Sequence, residues 1–185
     1  DAAQAASARA ERINRFLISM LQASDPAAGG RRDVTVAQVL DRAVEEARRL
    51  EGSEPGVAAD ALLTVVQTDS SLGRFPEALA AEELAIPLLR SRPGEERRLA
   101  AALTSRADTL WSIGKMAEAE PSAREAIAIL QRGPGRDPER LAALAHAREK
   151  LGLILGHSNR EAEADASYRA AREDLQAAGV TDLRL

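Results

Sequence analysis

Apolar residues along the chain recur at intervals of three and four, the spacing that gathers them on one face of an α-helix. Breaks rich in glycine and proline interrupt this pattern at regular distances. Residues 1–23 contain no helix breaker, and Ile13, Phe16, Leu17, Met20 and Leu21 form a stripe, which predicts a helix ending before Asp25-Pro26. A loop with Gly29-Gly30 and Arg31-Arg32 follows. A second helix is predicted within 33–52. Thr35 as N-cap with Gln38 three residues on makes a capping box, and Val34 and Val39 stand where a hydrophobic staple would.

From residue 57 onward, helices of about four turns alternate with short breaks, and the breaks repeat. Segment 62–89 aligns with 103–130 at an offset of 41, placing Gly73 on Gly114, Ala78 on Ala119 and Ala85 on Ala126. A third copy begins at 141–156, which lies 42 residues after 99–114, with Arg148 on Arg106 and Gly156 on Gly114. Its second helix, 163–175, aligns only after a three-residue insertion assigned to the turn at His157 to Ala162, so that turn is expected to be longer or differently shaped.

Three units result, at about 57–90, 95–131 and 138–175, with 176–185 a tail or the start of a further repeat. Pro55, Pro93 and Pro138 each stand at or just before a unit's first helix, and Asp137-Pro138-Glu139 reads as N-cap, first-turn proline and dipole-complementing acid. Leu72-Gly73, Ile113-Gly114 and Leu155-Gly156 are expected to end the first helices, glycine supplying the left-handed conformation that reverses the chain. Alanines seven apart on the second helices (78 and 85, 119 and 126, 164 and 171) allow close approach. Pro87 falls late in a second helix, where a proline costs roughly 3 kcal/mol; a kink or an early end near Ile86 is predicted.

One such hairpin cannot cover its own apolar faces, so neighbours must stack. The glycine, the large apolar residue two positions on (Phe75, Met116) and the spaced alanines resemble the tetratricopeptide repeat. The spacing of 41 to 42 is similar to the longer variant of kinesin light chains and many bacterial proteins. The aromatic of the second helix is kept only as Tyr168, with Glu82 and Ala123 in the other copies. The resemblance implies an all-α, right-handed α-solenoid of antiparallel helix hairpins, about eight helices in all.

Residues 15–50 resemble the stretch that joins membrane helix to repeats in bacterial transmembrane serine/threonine protein kinases. That likeness implies a sensor or docking region on the extracytoplasmic side of a longer protein, and the start at Asp1 without methionine fits an excised piece. Without the kinase likeness the same repeats would suit a cytoplasmic adaptor or regulator. Only Lys115 and Lys150 are lysines, an arginine bias that fits a high-GC bacterial source.

Composition narrows the functional classes. The 45% hydrophobic and 29% charged content of 185 residues supports a core, and with 2% aromatics and about a fifth alanine that core must be small-residue and helical. No cysteine means no thiolate metal site, and a net charge of −4 argues against nucleic acid. No apolar run approaches the roughly 20 residues of a membrane span. There is no metalloprotease histidine pair, phosphate-binding lysine loop, dinucleotide fingerprint or nucleophile elbow, so no catalytic, metal or cofactor site is predicted. Gly133-Pro134-Gly135 reads as an inter-repeat turn, and His157 as an exposed residue of the inserted turn without a special role.

The expected function is binding of a protein or peptide. In solenoids of this kind the first helices line a groove, and the repeat alignment gives its rows: Leu63, Thr104, His146; Gln67, Asp108, Lys150; Ser70, Trp111, Leu153. Trp111 reads either as an anchor or as inter-repeat packing, and Asp108 and Lys150 as ligand contacts or as partners of each other. Self-association into a homodimer through apolar stripes of the terminal helices, 1–23 and 160–178, is the alternative.

Overall fold

The computed structural model describes residues 35–133 and 137–179, and every regular element among them is an α-helix. These are α1 (Val36–Leu50), α2 (Pro55–Ser71), α3 (Phe75–Arg90), α4 (Glu96–Ser112), α5 (Met116–Arg132), α6 (Pro138–His157) and α7 (Glu161–Ala177). The predicted helix at 1–23, Val34 of the staple and most of the C-terminal tail lie outside the described residues.

Local sequence sets the helix starts. The Thr35 hydroxyl accepts from the Gln38 amide at 3.3 Å while the Gln38 side chain accepts from the Thr35 amide at 3.0 Å, so two otherwise orphaned donors are satisfied. Pro55 and Pro138 open α2 and α6, where the missing N–H costs nothing, and Asp137 Oδ1 accepts from the Glu139 amide at 3.2 Å.

Each hairpin turns in the same way. Gly73 (φ 72°) and Gly114 (φ 79°) take left-handed conformations, and amide bonds run from Arg74 to the Asp69 carbonyl and from Lys115 to the Leu110 carbonyl, both at 2.8 Å. The third turn repeats this geometry with Asn159 at φ 56° and an Arg160 to Leu155 bond at 3.0 Å. The turn itself is therefore not enlarged, and Leu155-Gly156 does not end its helix. The insertion expected at His157 to Ala162 is taken up by α6, which has 20 residues against 17 in α4. Asparagine supplies the left-handed residue because its short polar side chain tolerates that conformation.

α3 runs on through Pro87 to Arg90, so the early end expected near Ile86 does not occur, and α5 carries a second internal proline, Pro121. Both rings are exposed, where solvent can satisfy the carbonyl left without an amide partner.

Contacts divide the chain into two compact units, Asp1–Leu88 and Leu89–Leu185, the boundary falling in the last turn of α3. In the first unit α1 packs on α2. Its core joins Leu40, Ala43 and Ala47 of α1 to Ala58, Leu62, Val65 and Val66 of α2 and to Ala81 and Ala85 of α3. Arg74 ties the same elements electrostatically, 2.8 Å from Asp41 and 3.2 Å from the buried Asp69, whose carboxyl is pushed up by burial against the pull of Arg74.

In the second unit α5 packs on α4 and α6, α6 on α7, and α4 on α6. Contact between successive first helices is what makes a stack of hairpins an α-solenoid rather than a string of separate pairs. Covered from three sides, α6 spreads its buried residues over several faces, among them Leu141, Leu144, Leu151, Ile154 and Leu155. Leu110 and Leu155, the residues that accept the turn bonds, are 0% and 2% exposed. Each such leucine stabilises the fold by roughly 1.5–3 kcal/mol.

Gly152 of α6 lies beneath Tyr168 of α7, and a Cβ added there would stand 2.7 Å from the ring. Burial raises the Tyr168 phenol, helped by Glu149 and Asp165. Arg148 clips the same pair, donating to Asp174 at 2.6 Å and to the Ala170 carbonyl at 3.1 Å. Glu120 of α5 bonds both Arg124 and Arg160; burial would raise its carboxyl, yet those two guanidinium groups outweigh that and hold it below the usual range.

Candidate functional site

The nine residues read as groove-lining fall into both units. Leu63, Gln67 and Ser70 belong to α2 of the first unit. There Leu63 packs half-buried against the core, Gln67 is exposed, and Ser70 is half-buried with its hydroxyl oxygen buried and without a hydrogen-bond partner among the described residues.

The remaining six sit on α4 and α6 of the second unit, two helices in direct contact. Thr104 is buried, and its hydroxyl donates to the Ala100 carbonyl at 2.9 Å, so it is a helix-internal group with nothing to offer a ligand. The Lys150 ammonium donates to Asp108 Oδ1 at 2.6 Å, their side chains 21% and 42% exposed. Of the two readings left open by the sequence, mutual pairing is the one realised. The pair pins α4 to α6 and leaves a polar, neutralised strip, although at this exposure it adds at most about 1 kcal/mol.

Trp111 and Leu153 are half-buried beyond that strip, and His146 is exposed before it. The Trp111 ring meets His157 edge to face, centroids 5.4 Å apart and planes at 85°. His157 Nδ1 lies 3.4 Å from Trp111 Nε1 and 2.9 Å from the Leu153 carbonyl. His157 is indeed exposed, but it is the immediate neighbour of the tryptophan, and sequence reasoning gave it no role.

A signal for it was present. Asn159-Arg160 with Glu163 repeats Gly114-Lys115 with Glu118, and both cations pair with the acid three residues on, at 2.6 and 3.1 Å. Read in that register, the end of α6 runs three residues past the end of α4 and carries His157 to Trp111. His146 and His157 are eleven residues apart on α6, close to three full turns, and so share a face.

The α4–α6 face thus brings together an indole, two imidazoles, an aliphatic side chain and an internally paired acid and base. Among the described residues no group of three or more histidine, aspartate or glutamate side chains could hold a metal ion, and no helix is long and apolar enough to cross a membrane. The surface is partly apolar and carries hydrogen-bonding groups beside a half-buried indole.

The class that this architecture defines is that of stacked all-α hairpins. No protein-family model and no curated protein matches the chain. Solved structures do match it, 36 chains in all. One of them is the crystal structure of BtubC (BKLC) from P. vanneervenii, which superimposes with a TM-score of 0.62 at 19% identity over 80% of this chain and 60% of that one. The chain therefore spans less than two thirds of the length of that protein, and at this identity the likeness concerns the fold alone.

Proposed function

We propose that the chain is a protein- or peptide-binding module of tetratricopeptide type, and that the exposed α4–α6 face carries the ligand. The observation that supports this reading is the gathering of Trp111, the only tryptophan, and His146 and His157, the only histidines, on two adjacent first helices beside the Asp108–Lys150 pair. Aromatic side chains concentrate binding energy at interfaces, and an ion pair that is already satisfied lets backbone amides and carbonyls of a peptide dock without burying an isolated charge.

In the larger setting, the likeness of residues 15–50 to the membrane-to-repeat junction of bacterial serine/threonine kinases makes the module the sensor or docking region of a membrane-anchored kinase. The experiment is capture of partners from the source lysate by the chain and by its Trp111→Ala and Lys150→Glu variants, with binding to synthetic copies of the captured segments measured afterwards. Loss of capture in both variants is expected. Capture undiminished by either substitution overturns the assignment of the face.

A further inference from the structure

We propose that the outer face of α7 is a self-docking surface, on which a second copy of the chain lies antiparallel about a two-fold axis beside Tyr168. This surface is separate from the α4–α6 face, and neither reading depends on the other.

Glu161, Asp165, Tyr168, Arg172 and Leu175 recur at alternating intervals of four and three, and so form one stripe along α7. The offset of 45 that sets Asn159 on Gly114 matches the last four of them to Glu120, Ala123, Ile127 and Leu130 of α5. Those α5 residues are buried or half-buried, in a helix that packs on both α4 and α6. On α7, which packs on α6, Asp165 and Arg172 are exposed while Tyr168 and Leu175 are half-buried. The Tyr168 ring rests over Gly152, and burial, then Glu149 of α6 and Asp165, raise its phenol. The stripe thus sets an aromatic side chain at its middle and charges on either side.

Those charges are arranged to fit a copy of themselves. The N-terminal half of the stripe carries Glu161 and Asp165, with Glu149 close to Tyr168, and the C-terminal half carries Arg172. Elsewhere on the same hairpin Arg160 pairs with Glu163 and Arg148 with Asp174. Glu149, Glu161, Asp165 and Arg172 have no ion-pair partner among the described residues. Asp165 and Arg172 share a face but stand about 10.5 Å apart along the helix axis, and they do not pair with each other. In a two-fold interface residue i of one copy meets j of the other, and j meets i. With the axis passing between Tyr168 and Arg169, each Asp165 comes level with the Arg172 of the other copy, and both tyrosines come to the centre, where aromatic side chains carry most binding energy. A further hairpin would instead lay a first helix across this face, as α6 lies on α5, and would desolvate Asp165 and Arg172 without giving either a partner. A second copy is the occupant that these charges fit.

Sedimentation equilibrium of the full chain over a concentration series tests the proposal, with far-UV circular dichroism monitoring the fold of each variant. The native chain should show a monomer–dimer equilibrium. Asp165→Arg and Arg172→Asp, each at an exposed position, set like charges against each other in both reciprocal contacts and should each weaken the dimer about tenfold. An equimolar mixture of the two variants restores opposite charges at both contacts and should form a heterodimer tighter than either variant alone. The double variant Asp165→Arg/Arg172→Asp should dimerise like the native chain. A native chain that stays monomeric throughout leaves the face to some other partner and overturns the proposal. So does a dimer that both single substitutions leave unchanged, or a mixture no tighter than its components. No ligand enters these measurements, so failure of the dimer leaves the α4–α6 face standing, and failure of the capture experiment leaves the dimer.

Discussion

Replacing Gly152 by alanine tests how the third hairpin is packed. A Cβ at this position would lie 2.7, 2.8 and 3.0 Å from Cε1, Cζ and Cδ1 of Tyr168. Carbon atoms in good contact are about 3.5–4.0 Å apart, so the ring or the helix has to move by the better part of an ångström. Overpacking of this kind costs about 1–3 kcal/mol, whereas alanine in place of a mid-helix glycine gains about 1 kcal/mol. Because one added atom meets three ring atoms at once, the clash should exceed the gain, leaving Gly152→Ala less stable by about 1 kcal/mol.

The same substitution made in a Tyr168→Ala background meets no ring and should stabilise by about 1 kcal/mol. Urea unfolding followed by circular dichroism on the four chains closes the cycle, with an expected coupling of about 2 kcal/mol between the two positions. A coupling below about 0.5 kcal/mol, or a Gly152→Ala chain more stable than the native one, would refute the claim that α6 and α7 meet through this glycine.

Two further outcomes follow from the hairpin joints. Asn159→Ala should lower stability by about 1 kcal/mol, because alanine resists the left-handed conformation at φ 56°, while Asn159→Gly should equal or exceed the native chain; both are read from thermal midpoints. The carboxyl of Glu120 is held down by Arg124 and Arg160 despite its desolvation, so its stabilising contribution is fully present above the ordinary glutamate value of 4.5 and fades as pH falls through the depressed native value. Glu120→Gln should therefore flatten the stability profile in that acidic window, and an identical acid slope in both chains would exclude the network as its cause.

Much of the fold is legible in the sequence because hairpin turns are local. Gly73 and Gly114, the capping box at Thr35 and the Asp137-Pro138 start each depend on residues within one turn of themselves, and each stands where its neighbours dictate. The third hairpin is harder to read. Its asparagine can do the work of a glycine, and the nearby Leu155-Gly156 imitates the earlier Leu-Gly and Ile-Gly endings. A helix also tolerates three additional residues without any local mark in the sequence.

The candidate site shows the same division. That Asp108 and Lys150 occupy equivalent positions follows from the repeat register, so their proximity is readable, but whether they serve a ligand or each other depends on side-chain reach. Thr104 is buried because α4 is covered by both α5 and α6, a tertiary matter that its polar side chain conceals. In the register of the helix start Trp111 falls on Leu153, and only the register set by Asn159, three residues further on, carries it to Gly156 beside His157.

The extra length of α6 has a geometric consequence of its own. At 1.5 Å and 100° per residue, three added residues lift the end of the helix by about 4.5 Å and turn it through about 300°, just short of a full revolution. α4 and α6 therefore begin level, where Arg97 reaches Asp137 and Glu139, and finish out of step. Like a staircase with one tread cut long, the pair acquires an overhang at one end while its turns keep their standard form. A tandem array can in this way create a ledge for a single side chain without altering the joints that hold the array together.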